Sequence, residues 1–313
     1  MFFKWFKKEI KPFNEGWLDV GDGHQIHYME CGNPKGKPII RFHGGPGSSA
    51  KPKQASVFDL AKYRVVLFSQ RGCGKSKFTD LMKNNNPMTT VEDTVKLLNH
   101  LEIPLKDLTL AGVSYGTTLA LLFAEKHPEM VKMLLLTAVF LGRKEDLVWT
   151  DEISQIFYPD LMDEMKSKLN PNEELLDGYH RMIMSDSYEQ IKTALQYYGS
   201  YEMNLGSLTP QFKPLKAVYD DRVAGSRIFI DHEKNNMYLE DNVILNNIDK
   251  IKHIPTMIVH NRLDMTCPVQ QAYKLHKAMP HSKLVIVPDI GHGSEKLQKE
   301  MIYHFNKFIK ERE

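Results

Sequence analysis

The sequence predicts an α/β fold, a doubly wound and mostly parallel sheet with a helical lid domain inserted into it. Short apolar segments alternate with helix-patterned segments between residues 38 and 139, as expected when helices cover both faces of a parallel sheet. This alternation stops near residue 141 and resumes near residue 256. The predicted organisation is therefore an N-terminal core part (1–140), a lid (141–247) and a C-terminal core part (248–313).

The N-terminal core part begins with a predicted β-hairpin over residues 16–31, because polarity alternates on both sides of the turn signal Asp22-Gly23. A helix is expected to run to residue 101, with Thr90 as its N-cap and Asp93 three residues later. Short apolar runs predict buried strands at 38–42, 64–68, 108–112 and 133–139.

The segment 141–247 is rich in polar, aromatic and methionine residues and shows no pattern of a buried strand. An insertion that follows a sheet strand is expected to cover the carboxyl ends of the strands, where ligands bind, and to select substrates there. Its patterns predict helices at 149–157, 161–169, 172–184 and 188–198, then a looser segment to residue 245. Beyond it we expect strands at 256–260 and 283–287, a turn at 261–264, and helices at 268–279 and 295–309.

Composition excludes several classes of protein. Lys and Arg number 41 and Asp and Glu 39, and this net charge of +2 gives no reason to expect a nucleic-acid partner. No segment is apolar enough to cross a bilayer, so stable membrane insertion is not expected. Cys31, Cys73 and Cys267 match neither a disulfide framework nor a zinc site, which favours a cytoplasmic location. Composition does not define an oligomeric state.

One short turn, Gly112-Val113-Ser114-Tyr115-Gly116, lies between the predicted strand at 108–112 and a helix-patterned segment at 117–126. A Gly-x-Ser-x-Gly turn in this position is a nucleophile elbow, in which glycines allow strand and helix to approach closely. The helix N-terminus also favours negative charge that develops at the reacting centre. Ser114 is therefore a candidate nucleophile, with an ordinary turn as the alternative.

A nucleophilic serine needs a base to accept its proton and an acid to orient that base. Asp264 follows the predicted strand at 256–260, and His292 follows the predicted strand at 283–287. Because the carboxyl ends of parallel strands share one edge of the sheet, Ser114, Asp264 and His292 are expected to meet there. Their chain order, Ser then Asp then His, is the order of this kind of hydrolase.

Two glycine-rich loops follow predicted strands. His43-Gly44-Gly45-Pro46-Gly47 leaves backbone N–H groups free, either to bind an oxyanion or simply to form a tight connection. Gly74-Lys75-Ser76 is similar to the end of a phosphate-binding loop, but Ser69 stands where that motif requires glycine. We therefore reject nucleotide binding.

Taken together, these motifs resemble the proline iminopeptidases (prolyl aminopeptidases) of the α/β-hydrolase fold, and the match runs nearly end to end. That family releases N-terminal proline from peptides without a metal or cofactor, so the resemblance implies small peptides with a free N-terminal proline as partners. The matching blocks are Gly16-Trp17-Leu18-Asp19-Val20-Gly21-Asp22-Gly23-His24, Cys31-Gly32-Asn33-Pro34, His43-Gly44-Gly45-Pro46-Gly47, Gln70-Arg71-Gly72-Cys73-Gly74-Lys75-Ser76, the elbow, Leu263-Asp264-Met265-Thr266-Cys267-Pro268 and Gly291-His292.

The resemblance implies a role for each matching position. Ser114 is the expected nucleophile, His292 the general base and Asp264 its orienting partner. The oxyanion donors are expected to be the backbone N–H groups of Gly45 and Tyr115, with Gly44 as a further candidate. An apolar pocket for the proline ring is expected at Phe140 and Cys267.

In the family, carboxylates of the lid hold the free amino group of the substrate. The segment Tyr198-Gly199-Ser200-Tyr201-Glu202 matches the family's Trp-x-x-Trp-Glu block, so Glu202 is one expected anchor. The second carboxylate should follow an Arg-Ile pair, but Phe229 follows Arg227-Ile228 here. Asp231 or Glu233 is expected to replace it, unless the site has lost one charge.

The chain also departs from the family at the elbow, where Val113 and Tyr115 replace the usual Gly and Trp, and at Ser69, which replaces an expected aspartate. Three functions therefore stay open. The first is a serine exopeptidase for N-terminal proline, the second an esterase or amidase of other specificity, and the third a non-catalytic ligand-binding member of the fold.

Overall fold

A nine-stranded sheet runs through the computed structural model, which describes residues 9–207 and 220–312. The spatial order is β1-β2-β4-β3-β6-β7-β8-β9, and the short β5 pairs with β2 outside this path. The strands are β1 (Asn14–Gly21), β2 (His24–Gly32), β3 (Lys37–Phe42), β4 (Tyr63–Phe68), β5 (Lys77–Phe78), β6 (Leu108–Val113), β7 (Val131–Thr137), β8 (Thr256–Leu263) and β9 (Ser282–Ile290).

The sheet is antiparallel at one end and parallel through the rest. β1 and β2 form the predicted hairpin around Asp22-Gly23, and β2 is also antiparallel to β4. From β4 through β3, β6, β7, β8 and β9 every pairing is parallel. The predicted α/β class is confirmed, and all strands of the parallel part end at one edge.

Helices cover both faces of this sheet. On β6, Leu110 packs into one apolar cluster with Phe42 and Leu119, while Ala111 packs into a second cluster with Phe305. Burial on both faces explains why the parallel strands are continuous apolar runs rather than alternating ones. The helices are α1 (Pro87–His100), α2 (Tyr115–Lys126), α3 (Lys144–Val148), α4 (Pro159–Lys166), α5 (Leu175–Ile183), α6 (Tyr188–Leu205), α7 (Asp220–Lys234), α8 (Val243–Asn246), α9 (Val269–Ala278) and α10 (Glu295–Lys310).

Several predicted boundaries are wrong. Helix α1 begins one turn before Thr90, because the Asn86 side chain accepts a hydrogen bond from the Thr89 N–H (3.0 Å) and Pro87 occupies the first helical position. The turn expected at 261–264 is largely strand. β8 continues to Leu263 because its last residues pair with a β9 that is itself longer than predicted.

The described part of the insertion between β7 and β8 contains helices joined by turns and no strand. We call residues 141–247 the helical insertion. It has its own apolar cluster, to which Met165, Tyr179 and Leu195 contribute. Helix α6 continues past the predicted residue 198 to Leu205, and α7 lies within the segment predicted to be looser. Residues 208–219 of that segment lie outside the described residues.

Candidate active site

Ser114 sits at the tip of a strained turn between β6 and α2. Its backbone has φ 57° and ψ −132°, a combination that costs energy for a residue with a side chain. The neighbouring glycines allow this turn, since a Cβ on Gly116 would collide with the Phe42 carbonyl oxygen and one on Gly112 with the Gly116 backbone. The structure thus has the strand–turn–helix geometry that the sequence predicts around Ser114.

Asp264 and His292 lie at the carboxyl ends of β8 and β9 and are joined by a hydrogen bond. His292 Nδ1 is 2.9 Å from Asp264 Oδ2 and 3.1 Å from Oδ1. Asp264 also accepts hydrogen bonds from the backbone N–H groups of Thr266 (3.0 Å) and Cys267 (2.9 Å). These bonds fix the carboxylate, and the carboxylate in turn fixes the ring of His292.

The charges of this pair stabilise each other. Burial opposes ionisation of Asp264, but the positive charge of His292 and the hydrogen bond to it hold the pKa of Asp264 below its ordinary value. Burial would lower the pKa of His292, but the charge of Asp264 and the same hydrogen bond raise that pKa above its ordinary 6.5. Asp264 therefore stabilises an imidazolium that forms at His292.

A cavity of about 500 Å³ opens between the sheet edge and the helical insertion, and Ser114 and His292 both line it. The Ser114 hydroxyl contacts the Cys267 thiol. Because a serine hydroxyl changes direction by rotation about its Cα–Cβ bond, this contact does not prevent a hydrogen bond to the imidazole in the substrate complex. The wall consists of Gly45, Ser48, Ser114, Phe140, Leu147, Thr150, Glu202, Met203, Leu205, Gly206, Phe229, Glu233, Met237, Thr266, Cys267, His292 and Gly293.

The predicted oxyanion residues surround Ser114. Gly45 lines the cavity, and Tyr115 is the first residue of α2, where a helical N–H has no partner within the helix. Gly44 packs so closely on the serine that an added Cβ would lie 3.0 Å from the Ser114 Cβ. Its carbonyl oxygen is engaged by the ring of His43, which holds the loop in place. Gly45 and Tyr115 border the space beside the serine, and the role of Gly44 as a further donor stays a prediction.

His43 organises this loop, a role that the sequence analysis did not assign. Its Nε2 accepts the N–H of Gln70 (3.0 Å), so the ring proton sits on Nδ1, which donates to the Gly44 carbonyl oxygen (2.8 Å). Burial lowers the pKa of His43 to about 4, which keeps the ring neutral. The position of His43 at the start of the His-Gly-Gly motif was the available signal.

Two carboxylates of the helical insertion face the cavity. Glu202 lies near the end of α6, and Glu233 lies near the end of α7, 5% exposed. Tyr198 donates its hydroxyl to Glu233 Oε2 (2.6 Å) and lies 3.4 Å from Asp151 Oδ1, so a third carboxylate adjoins the pair. The roles of Tyr198 and Asp151 were not predicted, because they depend on two helices packing together.

The carboxylates of Glu202, Glu233 and Asp151 are buried close together, so their negative charges repel one another. Burial first, and the neighbouring charge of Asp151 second, raise the pKa of Glu202 to about 8. Burial and the charges of Asp151 and Glu202 also raise the pKa of Glu233 well above its ordinary value. No ion pair to Glu202, Glu233 or Asp151 is present within residues 9–207 and 220–312. A cation that enters the cavity would relieve this repulsion.

Asp231 does not line the cavity, and we drop it as a candidate anchor. It is two residues from Glu233 on α7 and therefore points to another side of the helix. There its carboxylate is bonded to His180 Nε2 (3.0 Å) and to the Tyr238 hydroxyl (2.5 Å).

Phe140 and Cys267 line the same cavity as Ser114 and add apolar surface to its wall. Cys267 is 2% exposed, and burial, with the charge of Asp264 adding to it, raises the pKa of its thiol well above the ordinary value. The thiol therefore stays protonated and acts as an apolar wall rather than a nucleophile.

The described residues contain no group of His, Cys, Asp and Glu side chains arranged to hold a metal ion. They also contain no helix that is both long enough and apolar enough to cross a membrane.

Comparison with known proteins places this site in a family. Residues 37–294 match the model of the alpha/beta hydrolase fold. The proline iminopeptidase of Arabidopsis thaliana is 37% identical over 292 residues, which cover 91% of this chain and 76% of that protein. The proline iminopeptidase of Neisseria meningitidis serogroup A is 36% identical, over 91% of this chain and 92% of that one. The chain belongs to the proline iminopeptidase family of the α/β-hydrolase fold.

Solved structures agree on the fold. An esterase from Rhodococcus sp. superposes with a TM-score of 0.61 at 17% identity, covering 96% of this chain and 98% of that chain. An esterase from Exiguobacterium antarcticum gives a TM-score of 0.59 at 18% identity, over 94% and 98% of the two chains. These neighbours support the α/β-hydrolase fold.

Proposed function

We propose that this protein is a serine exopeptidase that releases N-terminal proline from small peptides. The observation that carries the proposal is that Glu202 and Glu233 face the same cavity as Ser114 and His292. A hydrolytic serine and an uncompensated pair of carboxylates in one cavity fit a substrate that carries a cation close to its scissile carbonyl.

The reaction uses acyl transfer. Ser114 Oγ attacks the carbonyl carbon of the N-terminal residue while His292 accepts the hydroxyl proton. The oxyanion accepts hydrogen bonds from the N–H groups of Gly45 and Tyr115. His292 then gives its proton to the leaving amine, and a water molecule activated by the same ring hydrolyses the acyl-enzyme. Asp264 stabilises the imidazolium in both halves of the reaction.

The carboxylates make the enzyme an exopeptidase. The secondary ammonium of an N-terminal proline brings two N–H donors and one positive charge, which Glu202 and Glu233 can receive. An interior peptide bond offers neither, so its binding would leave buried carboxylates unpaired. Phe140, Phe229 and Cys267 supply apolar surface for the pyrrolidine ring.

The helical insertion is proposed to be the lid, between core parts 1–140 and 248–313. It contributes Glu202, Glu233 and Phe229 to the cavity, so it carries the recognition of the N-terminal residue. A cytoplasmic location is also proposed, with support from three buried, free cysteines.

The esterase or amidase alternative depended on the loss of one lid carboxylate. Glu233 lies one helical turn beyond Phe229 and faces the cavity, which removes that reason.

Hydrolysis of a prolyl-anilide by the wild type and by Ser114→Ala tests the proposal. We expect turnover by the wild type only, and little turnover of the N-acetylated prolyl-anilide, which has no ammonium. Hydrolysis of the acetylated compound at an equal rate would select the esterase or amidase, and failure of a serine-reactive phosphonate to label Ser114 would select a non-catalytic binding protein.

A further inference from the structure

The helical insertion contacts the loops that carry the reacting groups. The Trp149 indole N–H donates to the Met265 carbonyl oxygen (2.7 Å), next to Asp264. The His292 N–H donates to the Gly206 carbonyl oxygen (3.2 Å) at the end of α6. The third contact, between α7 and the loop after β3, involves two glycines and no side chain.

Gly47 and Gly225 touch backbone to backbone. A Cβ added to Gly225 would lie well inside 3.0 Å of the Gly47 carbonyl oxygen, and one added to Gly47 would meet the Gly225 carbonyl oxygen in the same way. Gly47 also has φ 88°, so its own conformation requires glycine. Gly225 is helical, so only the close approach requires glycine there.

The same side of α7 carries the cavity residues. Gly225, Phe229 and Glu233 follow one another at four-residue intervals, which places them on one face of the helix. Gly225 lies against the loop that contains Gly45, and Glu233 lies about 12 Å further along the axis at 1.5 Å per residue. Helix α7 thus connects the loop on the oxyanion side of the cavity with the carboxylate of Glu233.

A second contact ties α7 to the elbow. The ring of His232 meets the ring of Tyr115 edge to face, with centroids 6.0 Å apart. Ile228 packs with Cys73 and Leu81 on the core. Helix α7 therefore touches both segments that border the oxyanion space.

We propose that Gly225 is a positioning residue whose bare Cα lets α7 dock on the loop of Gly47, and that this docking sets Glu233 at the right distance from the scissile carbonyl. A methyl group at Gly225 would force the helix and the loop apart by several tenths of an ångström or more, since ordinary contact begins at 3.4 Å. If α7 moves, Glu233 leaves the substrate amine; if the loop moves, the Gly45 N–H leaves the oxyanion.

Gly225→Ala tests this proposal, with Ser226→Ala as the matched control one position along the same helix. Alanine improves helix propensity at both positions, but at Gly225 it also meets the Gly47 carbonyl oxygen, so the melting temperature of each variant is recorded beside its kinetics. We expect Gly225→Ala to lower kcat/KM for the prolyl-anilide by about 10- to 100-fold, and Ser226→Ala to stay within about twofold of the wild type. A Gly225→Ala enzyme within about twofold of the wild type would overturn the proposal.

The proposal rests on the proposed function, but one of its tests needs no proline substrate. The rate at which a serine-reactive phosphonate labels Ser114 reports the oxyanion side without any proline substrate, and we expect it to fall in Gly225→Ala. If the wild type is labelled but does not cleave the prolyl-anilide, the proposed function fails, and a lower labelling rate in Gly225→Ala still supports the docking. If Gly225→Ala does not fold, His232→Leu loosens the same helix at Tyr115. An unchanged labelling rate together with an unchanged kcat/KM for the prolyl-anilide in His232→Leu would then refute the docking.

Discussion

Replacing Glu202 with glutamine separates recognition of the amine from the chemistry. Glutamine keeps the size of the side chain and removes its charge, and within residues 9–207 and 220–312 the Glu202 carboxylate has no hydrogen-bond partner whose loss would complicate the result. The change should therefore act only on a cationic ligand in the cavity.

The size of the effect follows from one charge-assisted hydrogen bond. Such bonds contribute about 1.5–3 kcal/mol, which corresponds to a decrease of about 10- to 150-fold in kcat/KM for a prolyl-anilide. A small acyl ester without an amino group does not reach the carboxylates, so its kcat/KM should change by less than about threefold. The assay is steady-state kinetics of both substrates with wild type and Glu202→Gln at pH 8. Equal losses on the two substrates would refute the assignment.

Although Glu202→Gln is expected to lower activity, it is expected to raise the stability of the folded protein at high pH. The pKa of Glu202 in the folded protein is about 8, above its ordinary 4.5, so the folded state binds more protons than the unfolded state between these values. The free energy of unfolding of the wild type therefore falls as the pH rises from about 4.5 to about 8. Above the folded-state pKa this decrease ends, because Glu202 is then ionised in both states. Glutamine does not titrate, so Glu202→Gln should have the higher melting temperature at pH 9 and little advantage at pH 5. A lower melting temperature at pH 9 would show that the carboxylate is not strained.

Three further outcomes are expected. Asp264→Asn removes the charge that supports the His292 imidazolium, so kcat should fall by about 10³- to 10⁴-fold while circular dichroism stays native. Because the pKa of His292 is raised, kcat/KM should decline as pH falls through a value above 6.5; a profile that is flat from pH 8 down to pH 6 would contradict this. Tyr198→Phe removes the 2.6 Å hydrogen bond to Glu233, so KM for a prolyl-anilide should rise several-fold with kcat nearly unchanged, and an unchanged KM would exclude the role of that bond.

Much of the fold could be predicted because the signals are local. A strand buried on both faces is a short apolar run, and the elbow contains its own glycines around Ser114. Asp264 and His292 could be paired from sequence because each follows such a run, and parallel strands end at one edge. The start of α1 was misjudged because Asn86 and Pro87 form a stronger start signal than Thr90.

The proposed amine site could be predicted only in part, because it depends on how one helix, α7, packs against the core. Sequence reasoning treated the segment around residue 229 as loose, so Asp231 and Glu233 were equal candidates. In a helix these two residues face different directions, and Asp231 is bonded to His180 and Tyr238 while Glu233 faces the cavity. The signal that was overlooked is the four-residue spacing of Gly225, Phe229 and Glu233, which marks one face of α7.

With Glu233 as the proposed second anchor, the chain keeps two acidic groups although Phe229 stands where the resemblance to the family implies a carboxylate. Moving the carboxylate one turn along α7, to Glu233, shifts it by about 5.4 Å along the helix axis and leaves it on the same face. The vacated position becomes apolar wall, and Tyr198 holds the displaced carboxylate through its hydroxyl. In this proposal, the packing of α7 on the core sets the distance from the amine site to Ser114, and that distance limits the size of the N-terminal residue that fits.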